Sequence, residues 1–179
     1  MPEIQVRPIR LDDHEQLQAI DHYYQTDHVW QMERKLENKK ITISFREIRL
    51  PRSVLIEYPK TLDSMVDDWD RKSTMFVAFY EEELCGYLRI TENLSTEISW
   101  VTDLVVQTNY RRHGVAANLI FNSLKRSADL EKSRITIETT SKNHPAISLF
   151  KKLGFDFCGY NDQYYDSNNV ALFFGRDLR

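Results

Sequence analysis

The chain has 179 residues, 41% of them hydrophobic and 28% charged, with a mean hydropathy of -0.53; this suits one domain with a proper core. No apolar run approaches the roughly 20 residues that span a bilayer, which excludes a membrane-spanning helix. A formal net charge of only -3 argues against general nucleic-acid binding, and two cysteines, Cys85 and Cys158, are too few for a disulfide framework or a thiolate zinc cage.

In chain order, the opening MPEIQVRPIRLDD lacks the basic start and apolar stretch of a secretory leader, so a reducing cytoplasm is the expected location. Within it IQVRPIR alternates and predicts a short strand. LDDHEQLQAIDHYY has an acidic first turn, and Leu17, Ile20 and Tyr24 at helical spacing predict a helix. From Gln25 to Pro59 the pattern is weaker: ITISFREI reads as a strand and PRSVLIEYP as an extended piece fenced by prolines. TLDSMVDDWDR predicts a short acidic helix with Leu62, Met65, Val66 and Trp69 on one side.

Beyond residue 74 the pattern sharpens. MFVAFY and LCGYLRIT flank an acidic EEE turn and predict a hairpin, and EISWVTDLVV predicts a third strand. GVAANLIFNSLKRSADL carries an apolar helix face. RITIET alternates, turning Ile135 and Ile137 one way and Thr136 and Glu138 the other. NHPAISLFKKLG has a cap candidate and a proline near its start and a glycine past its end, and FDFCGY and NVALFFGRDL supply two closing strands. The sum is a single mixed α/β (α+β) domain over 1–179. Its sheet is antiparallel early, with a parallel β–α–β step around 97–139.

Charge is uneven along this frame. Residues 1–100 hold 19 of the 27 acidic side chains, whereas 110–155 holds nine basic to three acidic. A basic segment beside an acidic one suits an anionic cofactor next to a cationic substrate, although ordinary solvated faces would give the same count.

The stretch NYRRHGVAANL places a tight basic turn between a strand and a helix. Free N–H groups at a helix start, the helix dipole and a close-approach glycine together make a phosphate cradle. Neither the lysine-containing phosphate loop nor a G-x-G-x-x-G fingerprint occurs. On charge and periodicity alone, a plain loop-to-helix junction remains the favoured reading.

The residues resemble the GNAT family of N-acetyltransferases. Arg111-Arg112-His113-Gly114-Val115-Ala116, after Val105-Val106, is similar to the family's acetyl-CoA signature R/Q-x-x-G-x-G/A. Asn143 opens N-x-x-A-x-x-L-F-K-K-L-G-F, similar to a second family motif at the expected distance. The resemblance implies a sheet that splays between the strands at 97–106 and 134–139, and a cofactor-binding core over about 97–155. Substrate-side segments would fall at about 12–72 and 159–170. It implies acetyl-CoA as cosubstrate, with pantetheine along Leu104, Val105 and Val106 and the diphosphate on Arg111, Arg112, His113, Gly114, Val115, Ala116 and Ala117. Asn143 and Phe150 would flank the pantetheine arm, and no metal is implied. Asn143 is equally what an N-cap requires, and Gly154 what a left-handed C-cap requires.

The implied reaction is attack of a neutral amine on a thioester, which calls for a proton acceptor, an oxyanion donor and a proton for the leaving thiolate. Glu138 matches the family's base; the bland alternative is an exposed strand carboxylate. Asp103 is the second candidate, or a holder of a cationic substrate. The oxyanion donor is expected at a strand bulge near Val105 or Val106. Many relatives carry a tyrosine seven residues after the asparagine; here it is Phe150, which cannot donate a proton. Tyr160, Tyr164 and Tyr165 are the substitutes, with water and a mere packing role as alternatives.

The segment GYNDQYYDSNNVALFFGRDL is similar to the streptothricin acetyltransferase branch, with Gly159, Asp162 and Tyr165 at matching spacing. That resemblance implies a small cationic acceptor amine drawn by Asp67, Asp68, Asp70, Asp162 and Asp166, with Trp100 covering its aliphatic part. Acetylation of a protein N-terminus or lysine, and a non-catalytic acyl-CoA-binding module, stay as alternatives. A monomer or homodimer is expected, without a nucleic-acid or membrane partner.

Overall fold

The computed structural model describes residues 3–60, 73–92, 96–165 and 169–179. The helix expected over 61–71, with Asp67, Asp68 and Asp70, and likewise Asp166, lies outside them. The strands are β1 (Ile4–Pro8), β2 (Tyr23–Glu37), β3 (Lys40–Glu57), β4 (Ser73–Tyr80), β5 (Glu83–Thr91), β6 (Ile98–Val106), β7 (Arg134–Thr140), β8 (Asp156–Asn161) and β9 (Ala171–Asp177). The helices are α1 (His14–Gln18), α2 (Val115–Asp129) and α3 (His144–Lys152). Seven strands form one sheet in the order β1-β4-β5-β6-β7-β9-β8, and β2 with β3 forms a separate two-stranded ribbon. β6 and β7 run parallel, while the other neighbours in the large sheet are antiparallel. This is the mixed, mostly antiparallel α/β sheet that the sequence predicts.

The alternation of each strand splits the core in two. Leu88, Ile90, Val101, Ile135 and Ile137 face Leu119, Ile120, Ile147 and Phe150 of α2 and α3. On the other face Tyr87, Val77, Met75 and Val105 meet Leu17 and Ile20 beside α1. Arg7 clamps Asp13 there with two 2.7 Å contacts and holds that carboxyl below its usual range.

Two sequence expectations need correction. The helix over 11–24 is short: a 3-10 turn at Leu11–Asp13 leads into α1, and Tyr24 belongs to β2. Tyr24 is buried, but on strand geometry. The segment from Gln25 to Pro59 is a continuous hairpin, with ITISFREI and most of PRSVLIEYP forming one 18-residue strand. Asn38 and Lys39 both adopt positive φ, 46° and 65°, and close it with the tight turn that matches strand twist. Pro51, which lacks an N–H, falls where the register slips opposite Thr26–His28. The ribbon lies against α3 and β8: Trp30 N–H donates to Ser141 O at 2.8 Å, and Phe45 packs its ring on Phe157 and Tyr160.

Candidate active site

β6 and β7 pair from Ile98–Arg134 to Val101–Ile137 and no further, although both strands continue. The gap opens beyond that rung, between Thr102–Val106 on one side and Glu138–Thr140 on the other. Main-chain groups there lack the ladder partners a closed sheet would provide.

A bulge sits at the fork. Arg89 pairs with Asp103 and Ile90 with Val101, so Thr102 is an extra residue on β6. Val101 packs in the α2/α3 core, and strict alternation would send Asp103 there too. The bulge instead puts Leu104 and Val106 on that core face and Val105 on the α1 face. Asp103 therefore turns to the side that carries Arg89, Trp100 and Glu138. The expected bulge near Val105 or Val106 is not found: pairing of Leu104, Val105 and Val106 with β5 is regular.

Glu138 and Asp103, 6% and 1% exposed, form the polar centre. Glu138 Oε2 accepts from Trp100 Nε1 at 2.7 Å and Tyr164 OH at 2.8 Å, and its Oε1 accepts from Lys60 Nζ at 2.8 Å. Asp103 Oδ2 accepts from Arg89 Nε at 2.7 Å and Thr102 Oγ1 at 2.8 Å, while Oδ1 accepts from Tyr58 OH at 3.0 Å. Lys60 bridges the two, 3.4 Å from Asp103 Oδ1, and also donates to Thr102 O at 2.8 Å. Two carboxylates thus face two cations, Lys60 and Arg89, in a site where unpaired charge would be costly. Burial, reinforced by the neighbouring carboxylates, raises the phenol pKa of Tyr58, Tyr164 and Tyr165, which stay protonated donors. Burial also keeps His22, hydrogen-bonded to Tyr87, toward its neutral form.

A pocket runs from Glu138 through the gap toward Leu104, Asn143 and Phe150, with Tyr24 and Tyr58 on its outer wall. Asn143 caps α3, its Oδ1 accepting from Ala146 N–H at 3.3 Å, so the cap uses the oxygen and leaves the Nδ2 donor to meet a ligand. Phe150 is 1% exposed and packs on Phe155 and Phe174.

The basic turn closes the other end. Gly114 adopts φ +87° and Arg112 φ +68° before α2 starts at Val115. The first ladder bond runs from Asn118 N–H to Gly114 O, so the amides of Val115, Ala116 and Ala117 have no helical acceptor. These amides, with exposed Arg112, His113 and Gly114, fit a diphosphate. Arg111 faces inward instead: its Nε donates to Val106 O at 2.9 Å and its guanidinium also reaches Tyr23 O. It latches the turn to β6 and the ribbon rather than adding an open charge.

Of the tyrosines singled out from sequence, Tyr164 and Tyr165 approach Glu138, whereas Tyr160 does not. Tyr160 lies on β8, two strands from β7, with its ring 5.4 Å from that of Phe45. Asp162 is exposed and stands 4.0 Å from Arg34, outside the pocket lining. Sequence reasoning missed Lys60, Tyr58, Tyr24 and Arg89. Only Tyr24 carried a signal, as an aromatic in apolar spacing with Leu17 and Ile20, which reads as a helix face rather than as a site.

Residues 42–155 match the family model described as the Acetyltransferase (GNAT) family. The chain belongs to that family and is an acetyl-CoA-dependent N-acetyltransferase, as its two motifs imply. A streptothricin acetyltransferase from Escherichia coli is 30% identical over 112 residues, covering 60% of this chain and 64% of that protein. The matched region thus spans slightly less than two thirds of that relative. The crystal structure of a nourseothricin acetyltransferase superposes with a TM-score of 0.84 at 22% identity, covering 98% of this chain and 99% of that one. A putative streptothricin acetyltransferase from Bacillus anthracis str. Ames, in complex with acetyl coenzyme A, gives 0.76 at 18% identity with the same coverage.

Proposed function

We propose that the chain acetylates a primary amine on a small cationic molecule of the streptothricin type, by direct transfer within the fork between β6 and β7. The observation that carries this reading is the buried Glu138 carboxylate at the first residue of β7 past the last β6–β7 rung, opening on a pocket that reaches Leu104 and Asn143. The resemblance to streptothricin acetyltransferases supports the acceptor class.

In this reading Glu138 takes the proton from the acceptor ammonium. Trp100 and Tyr164 fix the orientation of its Oε2, leaving Oε1 for the amine. Asp103 is too fully hydrogen-bonded to serve as base; it holds the ammonium alongside. Main-chain amides of β6 past Val101 face the developing oxyanion. Asn143 Nδ2 and the orphan amides of Val115, Ala116 and Ala117 seat the acetyl-CoA, which supplies the acyl group. Tyr24 supplies the proton that Phe150 cannot. It lines the same pocket, its hydroxyl lies 2.8 Å from Thr140 Oγ1, and burial pushes its pKa up to about 12, so it stays protonated at neutral pH.

Thiol release from acetyl-CoA, followed across streptothricin, polyamines and N-terminal peptides, tests the assignment. Turnover with streptothricin above the peptides is expected. Turnover with peptides alone moves the acceptor to protein, and coenzyme A binding with no thiol release on any amine makes the chain a binding module. Glu138→Gln is expected to slow transfer by about 10²-fold or more while leaving coenzyme A affinity unchanged by calorimetry.

A further inference from the structure

The Lys60 ammonium occupies the place that the proposed reaction reserves for its acceptor. Val101–Ile137 is the last rung between β6 and β7. One residue farther along each strand stand Thr102 and Glu138, and Lys60 Nζ donates to Thr102 O and Glu138 Oε1 at 2.8 Å each. The amine therefore spans the fork at its apex. Asp103 lies 3.4 Å away, and the Tyr165 ring centroid 6.0 Å away. The tether is an unbranched four-carbon stem whose side chain is 21% exposed.

We propose that Lys60 is itself an acetyl acceptor, modified by this chain's own acetyltransferase site when no external amine displaces it. The inference rests on the acetyltransferase reading above and on Glu138 as its base. Glu138 removes one proton from the ammonium across the 2.8 Å contact, freeing the nitrogen lone pair. That nitrogen bonds to the thioester carbonyl carbon, the carbon–sulfur bond breaks, and its electron pair leaves on sulfur. Tyr24 gives its proton to the thiolate, the second nitrogen proton restores the Tyr24 hydroxyl, and Glu138 returns its own to solvent. The products are N-acetyl-lysine, free coenzyme A thiol and one released proton. Holding amine and base in contact removes the entropic cost that an external acceptor must meet on binding. Acetylation also deletes one of the two cations, leaving Asp103 and Glu138 opposed by Arg89 alone. The modified site would then be net anionic and complementary to an incoming ammonium.

The purified full chain is incubated with acetyl-CoA and no added amine, then followed by intact mass and peptide mapping, with coenzyme A binding measured in parallel by calorimetry. A mass gain of a single acetyl group, mapped to Lys60, is the expected result. It disappears in Lys60→Arg and slows by about 10²-fold or more in Glu138→Gln. The wild-type map alone decides the matter if either variant folds poorly. Coenzyme A binding with Lys60 unmodified, or acetyl groups spread over surface lysines, overturns this proposal and leaves the acetyltransferase reading standing. Failure to bind coenzyme A overturns both.

Discussion

At the scale of single residues, the site separates two acids by what surrounds them. Asp103 receives donors on both oxygens from Arg89, Thr102 and Tyr58, whereas Glu138 keeps one oxygen turned to a single displaceable amine. The proton for sulfur is assigned to a residue far in sequence from the usual position, because Phe150 is sealed in the core and Tyr24 faces the same pocket. Tyr24→Phe keeps the ring and removes only the hydroxyl. Its expected effect is a fall in kcat of about 10²-fold with little change in acetyl-CoA affinity. Loss of the contact to Thr140 costs about 1 kcal/mol of stability, read by denaturant melts. A kcat equal to wild type would hand the proton to water or to another phenol.

At the scale of elements, the β6–α2–β7–α3 stretch was legible because its signals are local. Ile135 and Ile137 alternate, Asn143 caps, and Gly114 and Gly154 sit at the positive φ values that a helix entry and a helix exit demand. The Thr102 bulge was not legible, since neither glycine nor proline marks it and only the pairing partner on β5 reveals the extra residue. It nevertheless decides which face Asp103 occupies. Gly114 offers a test that separates strain from function. A Cβ at Gly114 would meet nothing closer than 3.8 Å, and one at Gly154 nothing within 4 Å, yet both have left-handed φ, +87° and +77°. Alanine at either position costs about 1 kcal/mol of stability. Only Gly114→Ala is expected to weaken coenzyme A as well, by about 5-fold if the strain is released by reshaping the cradle. Equal affinities in the two variants would remove the 112–117 turn from the binding site.

At the scale of the molecule, the least legible part is the ribbon. Much of its alternation is between exposed and half-exposed faces, so no apolar stripe declares it. Lys60 was equally hidden, because its partners Thr102 and Glu138 lie 42 and 78 residues away in sequence. Yet the ribbon carries much of the pocket's outer wall. Tyr24 pairs with Ile56, Tyr23 with Glu57, and Tyr58 N–H donates to His22 O, so Tyr24 and Tyr58 leave one hairpin two rungs apart, on either side of the Tyr23–Glu57 pair. Farther along, Phe45 anchors it to Phe157 and Tyr160. Phe45→Ala is expected to cost about 2 kcal/mol and to lower kcat/KM for the acceptor while coenzyme A affinity holds; a proportional loss in both would mean general unfolding. The consequence is mechanical. The pocket wall at Tyr24 and the Tyr58 hydroxyl that steadies Asp103 ride on a single lever whose clamp at Phe45 lies outside the pocket lining, so natural variation at that clamp is expected to retune acceptor choice without altering one residue of the pocket.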